Sequence, residues 1–139
     1  MQELNVASIT NYNQLLTAFL QNKSWDAQYR LIIQLGKTLP PLNDELKIET
    51  HQVEGCESLA WLVSTEKNGY VYLQMDSETR VVKGLMKIIM LIFQGKTKNE
   101  IVAIEEKVLF DELGLLNHLS PSRANGLWAI IKRIKAIVC

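Results

Sequence analysis

The chain has 139 residues, a usual size for one domain, and it shows no repeat or linker, so we predict a single domain over residues 1–139. Its 15 basic and 15 acidic residues give a formal net charge of zero, which argues against a nucleic-acid or anionic-membrane partner bound by bulk electrostatics. Without a visible secretory signal, a long apolar run or a disulfide framework among its two cysteines, we expect a cytoplasmic protein.

The N-terminal part predicts two amphipathic helices. Apolar residues at helical spacing predict the first over residues 11–22. Ser24 is a suitable N-cap for the second, and Gly36 suits its end. The prolines in residues 39–42 then predict an extended connection, because proline disfavours helix at the preceding residue.

A β-hairpin is predicted in the middle of the chain. Residues 59–65 and 70–75 look like strands, and Asn68-Gly69 between them tolerates the positive φ angles of a tight hairpin turn. Residues 51–53 are a candidate third strand at the sheet edge. We expect the face packed on helices to bury Trp61, Val63, Val71 and Leu73.

The remaining sequence predicts several helices. Asp76 or Ser77 is a candidate N-cap for a buried helix over residues 78–93, and Thr97 with Glu100 has capping-box spacing. A short helix is predicted over residues 108–113. Ser120-Pro121 predicts the start of the last helix, which should bury Leu127, Ile130, Ile131, Ile134 and Ile137 and turn Arg123, Lys132, Arg133 and Lys135 to solvent or a partner. Grouped strands followed by grouped helices predict an α+β fold, with two or three antiparallel strands packed against several helices.

Cys56 is the candidate reactive residue. It precedes the hairpin and follows Gly55, which permits a tight turn and an accessible sulfur. A free cysteine is more often a small buried apolar residue, so position alone leaves both interpretations open. The neighbouring Glu54 and Glu57 disfavour a thiolate, so nothing adjacent in sequence activates the sulfur. That pattern favours a carrier whose reactivity depends on a docked protein over an independent thiol enzyme.

Other chemistry has weaker support. A cysteine protease needs a histidine beside the thiol, and His51 and His118 fit surface and hydrogen-bonding roles better. A zinc site combining them with Cys56 and Cys139 lacks any C-x-x-C pair, and an iron–sulfur scaffold needs more cysteines. We therefore expect no metal and no resident cofactor. Cys139 at the terminus has no assigned role.

Four blocks of sequence, in order, resemble the SufE family, which includes the CsdE proteins. The first is Val53-x-Gly55-Cys56-x-Ser58-x-x-Trp61-Leu62, which resembles the family's active-site segment. The others are residues 25–40, which contain Leu35-Gly36-Lys37-x-Leu39-Pro40, residues 76–85, which contain Asp76-Ser77 and Val82-Lys83-Gly84-Leu85, and residues 119–127, which contain Ser120-Pro121-Ser122-Arg123. Together they cover most of the chain from Trp25 onward.

The resemblance implies a fold similar to that of the U-type scaffold proteins. It implies a sulfur acceptor and not an enzyme in its own right: Cys56 takes persulfide sulfur from a SufS- or CsdA-like cysteine desulfurase, whose pyridoxal phosphate belongs to that partner. The sulfur then passes to an iron–sulfur scaffold or another sulfur-using protein. A monomer or weak homodimer is expected, and the alternative is an allosteric adaptor in which Cys56 is dispensable. The expected partner-contact residues are Glu54, Gly55, Glu57, Asp76, Ser77 and Arg123.

Overall fold

The computed structural model describes residues 6–138 and has an α+β fold, as the sequence predicts. Nine main elements follow in chain order: α1 (Tyr12–Gln21), α2 (Trp25–Gly36), β1 (Ala60–Lys67), β2 (Tyr70–Ser77), α3 (Arg80–Phe93), β3 (Lys96–Thr97), α4 (Lys98–Ala103), α5 (Glu106–Leu113) and α6 (Pro121–Val138). Short 3-10 turns lie at Val6–Ser8, Asp44–Leu46, Glu49–His51 and Leu115–His118. Residues 1–5 and Cys139, to which the sequence assigned no role, lie outside the described part of the chain.

The sheet has the order β1-β2-β3 with antiparallel pairing throughout. The predicted hairpin is confirmed, and its turn residues Asn68 and Gly69 have φ angles of 54° and 84°. The predicted third strand over residues 51–53 is wrong, since only Gln52 forms an isolated bridge there, with Trp61. The third strand is instead β3, which pairs with the start of β2. Two residues are too few to show an alternating pattern in sequence.

The predicted inner face of the hairpin is also wrong in part. Leu62 lies opposite Met75 in the register, and this face joins the hydrophobic core together with Val71 and Leu73. Trp61 and Val63 lie on the other face, opposite Asp76 and Gln74, because neighbouring residues of a strand point to opposite sides, and Val63 is only half-buried. Trp61 is nevertheless only 7% exposed, since the segment before β1 covers it and the Lys47 ammonium lies 5.4 Å from its ring centroid.

Helix α3 is the central buried helix, as predicted, but it begins later than expected. Its N-cap is Thr79, and Asp76 and Ser77 end β2 instead of capping the helix. The helix packs on α2 with almost no side chain between them: a Cβ built on Gly84 would lie 2.1 Å from the Ile32 carbonyl oxygen. At its start the helix lies beside the segment that carries Cys56, since the hydroxyl groups of Thr79 and Ser58 are 2.7 Å apart.

The last helix, α6, buries four of the five predicted apolar residues, and Ile137 is half-buried. Its basic residues differ in part from the prediction, because Lys132 is exposed whereas Arg123, Arg133 and Lys135 are half-buried. The Lys135 ammonium donates to the carbonyl oxygens of Ile101 and Ile104, at 2.6 and 3.1 Å, and so closes the end of α4. Ser120 caps α6 by accepting a hydrogen bond from the Arg123 N–H at 3.3 Å.

Candidate functional site

Cys56 lies in a short closed loop between the Gln52 bridge and β1. The Val53 N–H donates to the Ala60 carbonyl at 2.9 Å, so the chain returns on itself within a few residues. Gly55 has a φ of 88°, a conformation that side-chain-bearing residues rarely adopt. Cys56 is half-buried and reduced, and it packs at the edge of the hydrophobic core.

The Cys56 sulfur rests against a glycine of α6. A Cβ built on Gly126 would lie 3.2 Å from the sulfur. Apart from the two chain neighbours and the backbone of the helix, this Cβ would have no other heavy atom of the described residues within 4 Å. One turn further along, a Cβ on Gly55 would lie 3.4 Å from the Cβ of Ala129. The tip of the loop therefore lies directly on small residues of the helix.

Hydrogen bonds from α6 hold the chain on both sides of Cys56. The Ser122 hydroxyl donates to Glu57 Oε2 at 2.6 Å. Arg133 donates to the carbonyl oxygens of Gln52 and Thr50, at 3.0 and 2.9 Å. The contacting residues of α6 have the spacing of a single helix face. We call them the loop seat, and they are Ser122, Gly126, Ala129 and Arg133.

Ser58 connects the loop to two further elements. Its hydroxyl oxygen accepts from Arg123 Nη1 at 3.0 Å and pairs with the Thr79 hydroxyl at 2.7 Å, at the start of α3. Arg123 stands in the first turn of α6, where a positive charge opposes the helix dipole. Its bond to Ser58 gives an internal reason for that position; its contact with a partner stays a prediction.

Asp76 lies near the end of β2, opposite Trp61, and is only 3% exposed. Oδ2 accepts the Leu42 N–H at 3.0 Å and Oδ1 accepts the Ser77 N–H at 2.8 Å. Lys47 and Lys83 add an ammonium to each oxygen, at 3.3 and 3.6 Å. Desolvation would raise the pKa of Asp76, but these hydrogen bonds and the Lys47 charge outweigh it, so the pKa is lowered and the carboxylate stays ionised.

Ser77 is also buried, and it bonds the residues between Cys56 and β1. Its hydroxyl donates to the Leu59 carbonyl at 2.8 Å, and the Glu78 N–H reaches the same oxygen at 3.3 Å. By contrast, Glu54, Gly55 and Glu57 are exposed around the cysteine. The six predicted contact residues thus divide into an exposed rim of Glu54, Gly55 and Glu57, a half-buried Arg123, and two buried residues at the end of β2.

Neither histidine is hydrogen-bonded to Cys56 within residues 6–138. His51 Nδ1 donates to the Leu46 carbonyl at 2.7 Å. His118 Nε2 pairs with the Gln28 side-chain oxygen, and its Nδ1 is buried without a partner. Burial lowers the pKa of His118. Over the same residues, no three His, Cys, Asp or Glu side chains are grouped as a metal ion would require.

Sequence reasoning missed the loop seat. One signal for it was available, because a glycine inside a helix is unfavourable by about 1 kcal/mol relative to alanine and so indicates a close contact. Gly126 is such a residue, in the second turn of α6. The identity of the contacting atom, the Cys56 sulfur, had no sequence signal.

None of the helices within residues 6–138 combines the length and apolar character needed to cross a membrane. In comparison with known families, the profile of the SufE family, described as Fe-S metabolism associated domain, matches residues 13–138. Among solved structures, the solution structure of a hypothetical protein from Thermus thermophilus is similar, with a TM-score of 0.74 at 19% sequence identity. The match covers 91% of this chain and 92% of that chain, which supports the α+β fold. Because the family profile spans nearly the whole chain, this protein belongs to the SufE family and is associated with iron–sulfur metabolism.

Proposed function

We propose that the protein accepts sulfur as a persulfide on Cys56 from a pyridoxal-phosphate-dependent cysteine desulfurase and thereby stimulates that enzyme. The sulfur then passes to an iron–sulfur assembly protein or another sulfur-using protein. The observation that carries the proposal is the position of Cys56, half-buried in a glycine-containing loop that single hydrogen bonds hold on α6. The family's association with iron–sulfur metabolism supports the same role.

The transfer is a thiol exchange in which no external oxidant takes part. The Cys56 thiol gives up its proton, and the thiolate attacks the outer sulfur of the donor's persulfide. A sulfur–sulfur bond forms at Cys56 while the donor's sulfur–sulfur bond breaks, and the donor cysteine leaves as a thiolate that takes up a proton. The outer sulfur keeps its oxidation state, and the protein supplies only the acceptor thiol.

Presenting Cys56 to a donor requires the tip of the loop to leave Gly126 and Ala129, whereas the bonds of Arg133 to Gln52 and Thr50 can stay. The side-chain contacts to be broken are those of Glu57 with Ser122 and of Ser58 with Arg123 and Thr79. The two bonds that involve a charged group, from Ser122 to Glu57 and from Arg123 to Ser58, contribute about 1.5–3 kcal/mol each, and the hydroxyl pair of Thr79 and Ser58 contributes about 1 kcal/mol. A docked protein that forms new bonds to the released groups can offset a cost of that size.

The exposed rim of Glu54, Gly55 and Glu57 is the proposed docking surface, together with Arg123 once Ser58 is released. Its two carboxylates suit a donor whose entrance carries basic groups, which also favour the thiolate form of the cysteine. Ser77 holds the residue before β1 through its bond to the Leu59 carbonyl, and Asp76 anchors the end of β2. Both are buried in this conformation, so any direct contact they make with a partner depends on loop movement. The partner supplies the pyridoxal phosphate.

Intact-mass spectrometry after incubation with a desulfurase, pyridoxal phosphate and cysteine tests the proposal. We expect a gain of one sulfur atom that a reductant removes. The gain should persist in Cys139→Ser and disappear in Cys56→Ser. If Cys56→Ser stimulates the desulfurase as well as the wild type does, the protein is a non-catalytic adaptor. Transfer of sulfur onto Cys56→Ser would likewise contradict the assignment.

A further inference from the structure

The Cys56 sulfur lies close to the position that a side chain of residue 126 would occupy, and residue 126 is a glycine. Gly126 lies inside α6, where alanine would be intrinsically preferred. Apart from its two chain neighbours and the backbone of its own helix, a methyl group there would meet one atom of the described residues within 4 Å, the Cys56 sulfur, at 3.2 Å. That separation is shorter than ordinary contact between a methyl carbon and sulfur, so one of the two would have to move.

We propose that Gly126 is a positioning residue that sets how deeply the Cys56 thiol is seated and so limits its reactivity until a donor docks. The inference rests on the proposed function and names a means of regulating the same cysteine. Gly126 itself takes no part in the transfer. It acts through the resting position of the loop.

The loop, and not the helix, is the element that would move. On α6, the residues next to Gly126 include Leu127 and Ile130, both fully buried in the core. The loop is held on α6 by one hydrogen bond of Glu57 and one of Ser58, which also pairs with Thr79, and the two neighbours of Cys56 in the chain, Gly55 and Glu57, are exposed. A methyl group at position 126 therefore displaces Cys56 outward, toward solvent, at less cost than it displaces α6.

Thiol reactivity of the purified chain tests this directly, without any partner. In a Cys139→Ser background, the rate of reaction with iodoacetamide reports Cys56 alone. We expect Gly126→Ala to raise that rate about fivefold. Overpacking by one methyl group costs at least about 1 kcal/mol, and 1 kcal/mol corresponds to a factor of about five in the population of the displaced loop. Ala136→Ser, which adds one atom to the exposed side of the same helix, is the matched control and should leave the rate unchanged. An unchanged or slower reaction in Gly126→Ala overturns the inference.

Thermal unfolding provides a second measurement, one that does not depend on the reactivity of the Cys56 thiol. In a Cys56→Ala background, Gly126→Ala should raise Tm, because the sulfur is gone and alanine favours the helix. With Cys56 present, the same substitution should raise Tm less or lower it. Equal effects in both backgrounds would show that the sulfur is not the group crowded by residue 126. Because neither assay involves a desulfurase, failure here is distinct from failure of sulfur uptake in the mass experiment.

Discussion

Replacing Asp76 by asparagine should destabilise the fold at the end of β2, where this residue bonds the segment before the sheet. Both carboxylate oxygens act as acceptors for backbone N–H groups, Oδ2 for Leu42 and Oδ1 for Ser77. Each oxygen also has an ammonium nearby, from Lys47 and Lys83 respectively. An asparagine keeps only one oxygen, so its NH2 group must face one backbone N–H and one ammonium. No rotation of the amide removes this conflict.

The size of the effect follows from the lost acceptor. A hydrogen bond to a charged group contributes about 1.5–3 kcal/mol, and a buried donor left without a partner costs about 1–3 kcal/mol. Allowing for partial relaxation, we expect Asp76→Asn to lower the free energy of unfolding by about 3 kcal/mol. For a chain of this length, that corresponds to a fall in Tm of about 10 °C.

Urea denaturation at pH 7 measures the difference, with Asp44→Asn as the control. Asp44 also pairs with Lys47, at 3.5 Å, but its side chain is 95% exposed, so no measurable change is expected. Because the pKa of Asp76 is lowered in the folded state, its contribution is present above the ordinary value of 3.8 and lost as the pH falls below it. The gap between wild type and variant should therefore narrow in acid. A loss below about 1 kcal/mol at pH 7 would refute the argument from the two acceptors.

Two further predictions concern packing and pH. Gly84→Ala should destabilise the fold by about 3 kcal/mol or more, because its Cβ would lie 2.1 Å from the Ile32 carbonyl oxygen, whereas Gly69→Ala, with open space around it but a φ of 84°, should cost about 1 kcal/mol. Similar urea midpoints for these two variants would argue against the close approach of α2 and α3. Because burial lowers the pKa of His118, its neutral form is favoured in the fold, and stability should fall as the pH drops below 6.5. His118→Gln should reduce that slope between about pH 7.5 and 5, and an identical slope would contradict it.

The helices and the hairpin were accessible from local sequence because their signals are local. Apolar spacing and a capping serine predicted α2 closely, and Asn68-Gly69 predicted the hairpin turn. The face of β1 that packs on the core could not be predicted from the sequence, since Ala60, Trp61 and Leu62 are all buried and show no alternation of apolar and polar residues. Tertiary cover over the outer face, which Lys47 helps to provide, decided that Trp61 is buried outside the core.

The sequence by itself predicted that Cys56 lies in a turn after a glycine, between acidic residues, and the resemblance to the SufE family is the basis for the role that we propose for it. Only the tertiary structure decided what the sulfur touches. Gly126 belongs to a helix far along the chain, and its contact with Cys56 exists because α6 and the sheet pack on one core. Such a contact depends on distances of a few tenths of an ångström between distant segments, and spacing in a sequence carries no record of them.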